Sequence, residues 1–267
     1  MDNRPIGYFD SGIGGLTALK EDLEILQNED TIYVGDEAHL PYGTKTSKEI
    51  TFYSRKIVNF LVQQNVKAIV CACNTSSAIA LPTIKKELKI PIFGVIEAGS
   101  RAAVKTTKND QIIVLATKAT VKSKKYDENL LKLNSNLAVT DFDAQDLVRI
   151  VENGDYKSEH VLNQIEKILM PLKEQQADTM ILGCTHFPII EDLIFKATEG
   201  RFKMVDAGKS AVKELADYLE RENLNHDSLP RQAKHLFYTT AQPNHFDHVA
   251  NQFLNSKLTI KSEHLGL

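Results

Sequence analysis

The sequence lacks most of the features that would set it apart from ordinary globular chains. Its 267 residues contain no apolar run near the 18 or so that a membrane span needs, so no membrane partner is expected. Met1-Asp2-Asn3-Arg4 leads straight into Ile6-Gly7-Tyr8-Phe9 with no signal-peptide core. Three cysteines are too few for a disulfide scaffold, and a reduced, cytoplasmic setting is the expectation. Lysine and arginine number 32 against 35 acidic residues, a net charge of −3 with a pI near 6.3. Without a basic field to grip phosphates, no nucleic-acid partner is expected either. Low-complexity linkers are absent as well. What is present is ordinary globular usage, 42% hydrophobic and 25% charged, which excludes a disordered chain. The length leans towards two domains.

Short apolar runs alternate with segments of helical period along the whole chain. Residues Ile6–Phe9, Thr31–Val34, Ala68–Ala72, Ile92–Ile96, Ile112–Ala116, Leu137–Phe142, Thr179–Leu182, Phe202–Val205 and Leu236–Thr239 read as strands. Gly15–Leu26, Ser47–Gln63, Ser123–Leu133, Ser158–Glu174 and Ala211–Arg221 read as helices, their apolar residues recurring three or four apart, as in Ile50, Tyr53, Ile57, Phe60 and Leu61. Alternation of this kind predicts the α/β class, with mainly parallel sheets flanked by helices. Uniformly apolar strands fit burial under helices on both faces.

A weak internal repeat divides the chain. Lys67–Thr75 resembles Asp178–His186: an apolar strand ends in cysteine, hydroxyl or amide residues follow, and a helix begins. Asp10, at one strand end, lies 63 residues before Cys73, and Thr117, at the other, lies 67 before Cys184. Two similar halves are implied, each offering a cysteine at the carboxyl edge of a sheet, where open α/β folds bind ligands. Two such edges face to face would form an interdomain cleft with a thiol on each side.

Cys73 precedes Thr75-Ser76-Ser77-Ala78, a plausible capped helix start, where the helix dipole and free N–H groups favour thiolate. Cys184 sits alike, with Pro188 in the first turn of the next helix. A single cysteine is more often a small buried hydrophobe, but two in matched contexts point to chemistry. Cys71, whose counterpart is Leu182, reads as core. His186 is placed to assist the second thiol, although a lone histidine is more often structural. Asp10 opens Ser11-Gly12-Ile13-Gly14-Gly15, a glycine-rich turn able to present backbone donors to an anion. It is not a dinucleotide fingerprint, since Thr17 stands where the third glycine would be. Asp36 to Gly43 reads as a strand-to-helix loop. Zinc ligands could be gathered from Cys71, Cys73, Cys184 and His186, but C-x-C is not the spacing of zinc sites, and no metal is expected.

Phe9–Leu16, Pro41-Tyr42-Gly43, Ala72–Thr75 and Leu182–Pro188, in this order, resemble the glutamate racemases of the aspartate/glutamate racemase family. The likeness runs from Ile6 to about Asp206; Val114–Thr117, Thr120, Tyr126 and Leu147–Glu152 extend it. It departs at Ala98 and Arg149, where the family usually has proline. The resemblance implies cofactor-free interconversion of L- and D-glutamate for peptidoglycan, with no pyridoxal lysine. Cys73 would deprotonate the D enantiomer and Cys184 the L enantiomer. Asp10 would assist the first thiol, and Glu152 and His186 the second. Asp10, Ser11, Tyr42, Gly43, Asn74, Thr75, Thr117, Thr120, Thr185 and His186 would contact the small-molecule substrate. The resemblance also implies a first domain of residues 1–97 with 207–267 and a second of 98–206; homodimers are common in the family. Rival readings are an aspartate racemase, a non-catalytic amino-acid binding module, and a thiol–disulfide protein. The last lacks the expected C-x-x-C.

Overall fold

The computed structural model describes the chain apart from residues 153, 155, 157, 228–231, 255–257 and 259. Those parts of the expected segments 98–206 and 207–267 therefore lie outside the described residues. Among the described residues, two all-parallel sheets account for the ten strands. The strands are β1 (Ile6–Asp10), β2 (Thr31–Gly35), β3 (Ala68–Cys71), β4 (Ile92–Gly94), β5 (Gln111–Ala116), β6 (Ala138–Asp143), β7 (Thr179–Gly183), β8 (Lys203–Asp206), β9 (His235–Thr239) and β10 (Ser262–His264). The first sheet has the order β10-β9-β2-β1-β3-β4 and the second β6-β5-β7-β8. Stripped of β9 and β10, the first repeats the order of the second. The fold is thus α/β with two similar domains.

This topology fixes where a ligand can sit. In each sheet the chain moves one way from its first strand and then returns past it. The reversal leaves a crevice beyond the carboxyl ends of β1 and β3, and another beyond those of β5 and β7. Register aligns Phe9 with Cys71 and Ala116 with Gly183, so Cys73 and Cys184 both emerge at these crevices. β1, β2, β3 and β7 are buried along their whole length, which explains why they read as unbroken apolar runs rather than alternating ones.

Several segments differ from their expected form. Val95 and Ile96 leave the expected strand and open the helix Val95–Thr106. That helix packs on the helix Ala207–Arg221 and on β7 and β8. Gly99 is needed there, because a Cβ would come 2.9 Å from that of Ala207. One apolar core runs from the first sheet through Val95, Ile96, Ala98, Ala207, Ala211 and Leu215 to Ile181 and Val205 of the second. The expected helix Ser123–Leu133 forms from Lys125 to Leu133; Ser123 instead ends a preceding helix, Lys118–Ser123, with Lys124 between them in left-handed conformation (φ 56°). Pro171, which has no N–H to donate, converts the end of the expected helix Ser158–Glu174 into a 3₁₀ turn, Met170–Glu174. Ser47–Gln63 forms as expected, closed by a Thr46/Glu49 capping box. No helix among the described residues is long and apolar enough to cross a membrane.

Candidate active site

Cys73 follows β3 and is the N-cap of the helix Asn74–Ile79: its Sγ accepts the Ser76 N–H at 3.4 Å and lies 3.8 Å from Ser11 Oγ. A helix start by itself favours thiolate, but the buried setting acts the other way. Burial, followed by the charge of Asp10, pushes the Cys73 thiol up to about 12, outweighing the hydrogen bonds from Ser76 and Ser11.

Cys184 follows β7 without becoming a cap. The Phe187 N–H closes onto the Cys184 carbonyl at 3.1 Å, not onto its sulfur, and the segment from Phe187 to Ile190 is 3₁₀ with Pro188 in its first turn. The two thiols therefore match in topology but not in local geometry. Cys184 Sγ instead lies 3.6 Å from His186 Nδ1, and His186 Nε2 lies 3.3 Å from Glu152 Oε1 without hydrogen-bond alignment. Burial alone would lower the imidazole. Cys184, Glu152 and Asp10 outweigh it and raise His186 to about 10. Glu152 thus reaches the sulfur only through the imidazole.

Asp10 is fully buried. Its Oδ2 accepts the N–H of Gly12 at 3.3 Å and of Gly15 at 2.9 Å. The anion held by the glycine-rich turn is therefore the chain's own carboxylate. Burial raises its pKa, while the charge of His186 and the turn's N–H groups work the other way. Among the described residues no hydrogen bond joins Asp10 to Cys73; Ser11 supplies the contact. Across the cleft the Thr185 hydroxyl lies 3.4 and 3.5 Å from the Asp10 oxygens.

Hydroxyls make most of the remaining closure. Thr75 Oγ1 lies 3.0 Å from that of Thr117 and 3.3 Å from that of Thr120, and Thr117 and Thr120 are 3.0 Å apart. Three hydroxyls can satisfy one another only while no better acceptor is present. The Tyr126 hydroxyl donates to Asn74 Oδ1 at 2.6 Å. The Tyr42 hydroxyl donates to the buried carboxylate of Asp36, which also accepts from Thr240 at 2.6 Å and meets His39 Nδ1 at 2.7 Å. That carboxylate fixes the loop carrying Tyr42 and Gly43, a tie the sequence did not signal.

Ser11, Tyr42, Gly43, Cys73, Asn74, Thr75, Thr117, Cys184, Thr185 and His186 line one pocket of about 20 Å³, roughly the room of a single water. Of the residues expected at the site, Asp10 is held in the turn behind Ser11, Thr120 pairs with Thr117 from behind, and Glu152 stands beyond His186. Leu40 and Gln145 join the wall without having been singled out, together with Val148 of the Leu147–Glu152 stretch. A larger cavity of about 400 Å³ lies next to it, bounded by Ile13, Glu37, Leu40, Glu152, His245 and Phe253. It contains neither thiol, whereas the smaller pocket is lined by both. Among the described residues no Lys or Arg lines that pocket, so an anion within it would be held by neutral donors and the His186 cation. Cys71 turns its sulfur away, 3.6 Å from the Cys73 carbonyl. Among the described residues no group of three or more His, Cys, Asp or Glu could hold a metal ion.

The family model for Asp/Glu/hydantoin racemases matches residues 18–215. The glutamate racemase of Pediococcus pentosaceus is 39% identical over 98% of this chain and 98% of its own. Among solved structures, glutamate racemase isoform RacE1 from Bacillus anthracis superposes with a TM-score of 0.95 at 34% identity, covering 100% of this chain and 99% of that one. The Francisella tularensis glutamate racemase in complex with D-glutamate gives a TM-score of 0.91 at 36% identity, over 99% and 98% of the two chains.

Proposed function

The chain belongs to the Asp/Glu/hydantoin racemase family, and from that premise we propose that it interconverts L- and D-glutamate by a two-thiol, two-base mechanism. One observation carries this reading: Cys73 and Cys184 come from different sheets and line the same pocket. Inverting a carbon requires a base on one face and an acid on the other, and two separately mounted thiols supply both.

Electrostatics assigns the starting roles. Cys73 is held as thiol, and His186, raised to about 10, sets a cation 3.6 Å from Cys184 Sγ. In the L-to-D direction, Cys184 takes the α-proton of L-glutamate while Cys73 gives its proton to the opposite face. The products are D-glutamate, a Cys184 thiol and a Cys73 thiolate. Charge that passes through the α-carbon is delocalised into the α-carboxylate, where the fixed donors of Asn74, Thr75, Thr117 and Thr185 act most strongly. The reverse reaction restores the first state. Asp10 raises the energy of the Cys73 thiolate, so its service is proton handling: a buried carboxyl with a raised pKa can share the proton released there. Glu152 acts as a positioning residue through His186. We assign residues 1–97 with 207–267 to the first domain and 98–206 to the second, the substrate lying between them. The chain's place is in supplying D-glutamate for peptidoglycan.

The test is proton NMR of the protein with L-glutamate in D₂O after metal chelation, with circular dichroism in parallel. Loss of the α-proton signal together with decay of optical activity is expected; aspartate in the same format tests the substrate. Persistence of both signals would remove the racemase reading.

A further inference from the structure

We propose that Gln145 is a substrate-contacting residue whose side-chain NH₂ donates to a carboxylate of the bound amino acid; this rests on the racemase reading above. Gln145 is the first residue of the helix Gln145–Glu152 and lines the pocket that holds both thiols. Its Oε1 is buried and accepts no hydrogen bond. Its carbonyl is turned onto Gly43: a Cβ there would lie 2.1 Å from Oε1 and 3.0 Å from Cδ, and 2.9 Å from Thr117 Cβ. With Oε1 turned onto Gly43, the NH₂ of this half-buried side chain is the end left to donate, and no hydrogen bond from it is found among the described residues. A buried polar atom without a partner, here Oε1, calls for a reason, and aiming the NH₂ at a ligand supplies one.

The chemistry of the pocket calls for such a donor. Glutamate brings two carboxylates, each able to accept about four hydrogen bonds, into a pocket lined, among the described residues, by no Lys or Arg. The Thr75, Thr117 and Thr120 hydroxyls hold one proton each, whereas a carboxamide offers two N–H groups beside Thr117. Gln145 stands on the side of the second sheet and Gly43 on that of the first, so their contact forms when the halves meet. Closure and grip are therefore joined in one side chain.

Racemisation of both enantiomers is to be followed by circular dichroism for the wild-type chain, Gln145→Leu and Gln145→Glu, with thermal melts of each. Losing one hydrogen bond to a charged group weakens binding roughly tenfold or more. Gln145→Leu is expected to raise KM for both enantiomers by about that factor, while kcat falls less than about threefold. Gln145→Glu, an acceptor facing an anion, is expected to raise KM further, on the order of 100-fold. A purely structural residue would instead lower melting temperature and kcat together. KM within about twofold of wild type in the folded variants would overturn the proposal; should the leucine variant not fold, Gln145→Met makes the same comparison. Wild-type turnover separates the failures. An inert wild type removes the racemase reading, whereas an active one with unmoved KM values removes the role of Gln145 alone.

Discussion

Gly43→Ala is the sharpest perturbation the cleft offers. Gly43 does not need glycine for its backbone: it lies in the 3₁₀ turn Tyr42–Thr44 and is not among the positive-φ residues. The demand is for space. An alanine Cβ would meet Gln145 Oε1 at 2.1 Å and Thr117 Cβ at 2.9 Å, whereas ordinary contact begins near 3.4 Å. The carboxamide can swing away by the missing ångström or more, but Thr117 Cβ moves only with its backbone, so part of the clash passes to the gap between the sheets. Misplacing reacting groups by about 1 Å costs on the order of 10²-fold, and half that displacement at Thr117 suggests a fall in kcat/KM of roughly 10- to 100-fold. The melting temperature should hold within about 2 °C, because the position faces the cleft rather than either core. Racemisation by circular dichroism and a thermal melt are the assays. Adding Gln145→Ala removes the 2.1 Å contact, so the double variant should lose less than the product of the single losses, with a coupling of about 1 kcal/mol or more. Wild-type kcat/KM in Gly43→Ala, or strictly multiplicative losses, would refute the steric argument.

Cys73→Ser and Cys184→Ser should each lower racemisation by at least the roughly 10²–10⁴-fold typical of a positioned acid or base; a variant retaining wild-type turnover sinks the two-thiol mechanism. Glu152→Gln removes one of the groups that raise His186 to about 10. The alkaline limb of L-glutamate turnover should therefore move to lower pH, and an unmoved limb would separate Glu152 from the imidazole. His186 is raised above its ordinary value, so its stabilisation is full below about 6.5 and disappears as pH rises through about 10. Asp22 is raised to about 7, by burial first and by the Glu29 charge, against the Tyr8 hydrogen bond at 2.6 Å and the Lys67 charge. The folded chain thus binds that proton more tightly than the unfolded one, and stability declines as pH climbs from about 4 to 7. Asp22→Asn should raise the melting temperature by a few degrees at pH 8 and by less at pH 5; an equal effect at both would be the contrary result.

Legibility from sequence followed physical cause. Both thiols, the parallel sheets and the paired strand ends were readable because a fully buried strand must be a continuous apolar run, and because duplicated topology leaves duplicated spacing. Ser262–His264 was unreadable as a strand: Ser, Glu and His carry no apolar signal, and pairing with β9 alone makes it strand. Val95 and Ile96 are equally apt for strand and helix, and only the packing on Ala207–Arg221 decides. Gln145 escaped notice because polar residues at helix starts are common and its place against Gly43 depends on how two halves meet. The ionisation of Cys73 was only half legible for a related reason. A helix start is local and visible in sequence, whereas burial beside Asp10 is tertiary, and the tertiary effect is larger.

The register explains how one duplicated frame yields two unlike thiols. With Phe9 opposite Cys71 and Leu115 opposite Leu182, Asp10 occupies in the first half the place of Ala116 in the second. Counting on from the cysteines, Thr75 occupies the place of His186. These two exchanges carry the electrical difference: the half with the buried acid keeps its thiol protonated, and the half with the imidazole places a cation against its sulfur. Two identical, interacting thiols would hold a single proton on either sulfur equally, so neither direction would begin with its acid and base assigned. On the proposed mechanism the repeat supplies the opposed geometry, and the breaks in the repeat supply the proton difference. Placing Asp at 116 or Thr at 186 would make the halves more alike. The better the sequence symmetry became, the poorer the racemase should be.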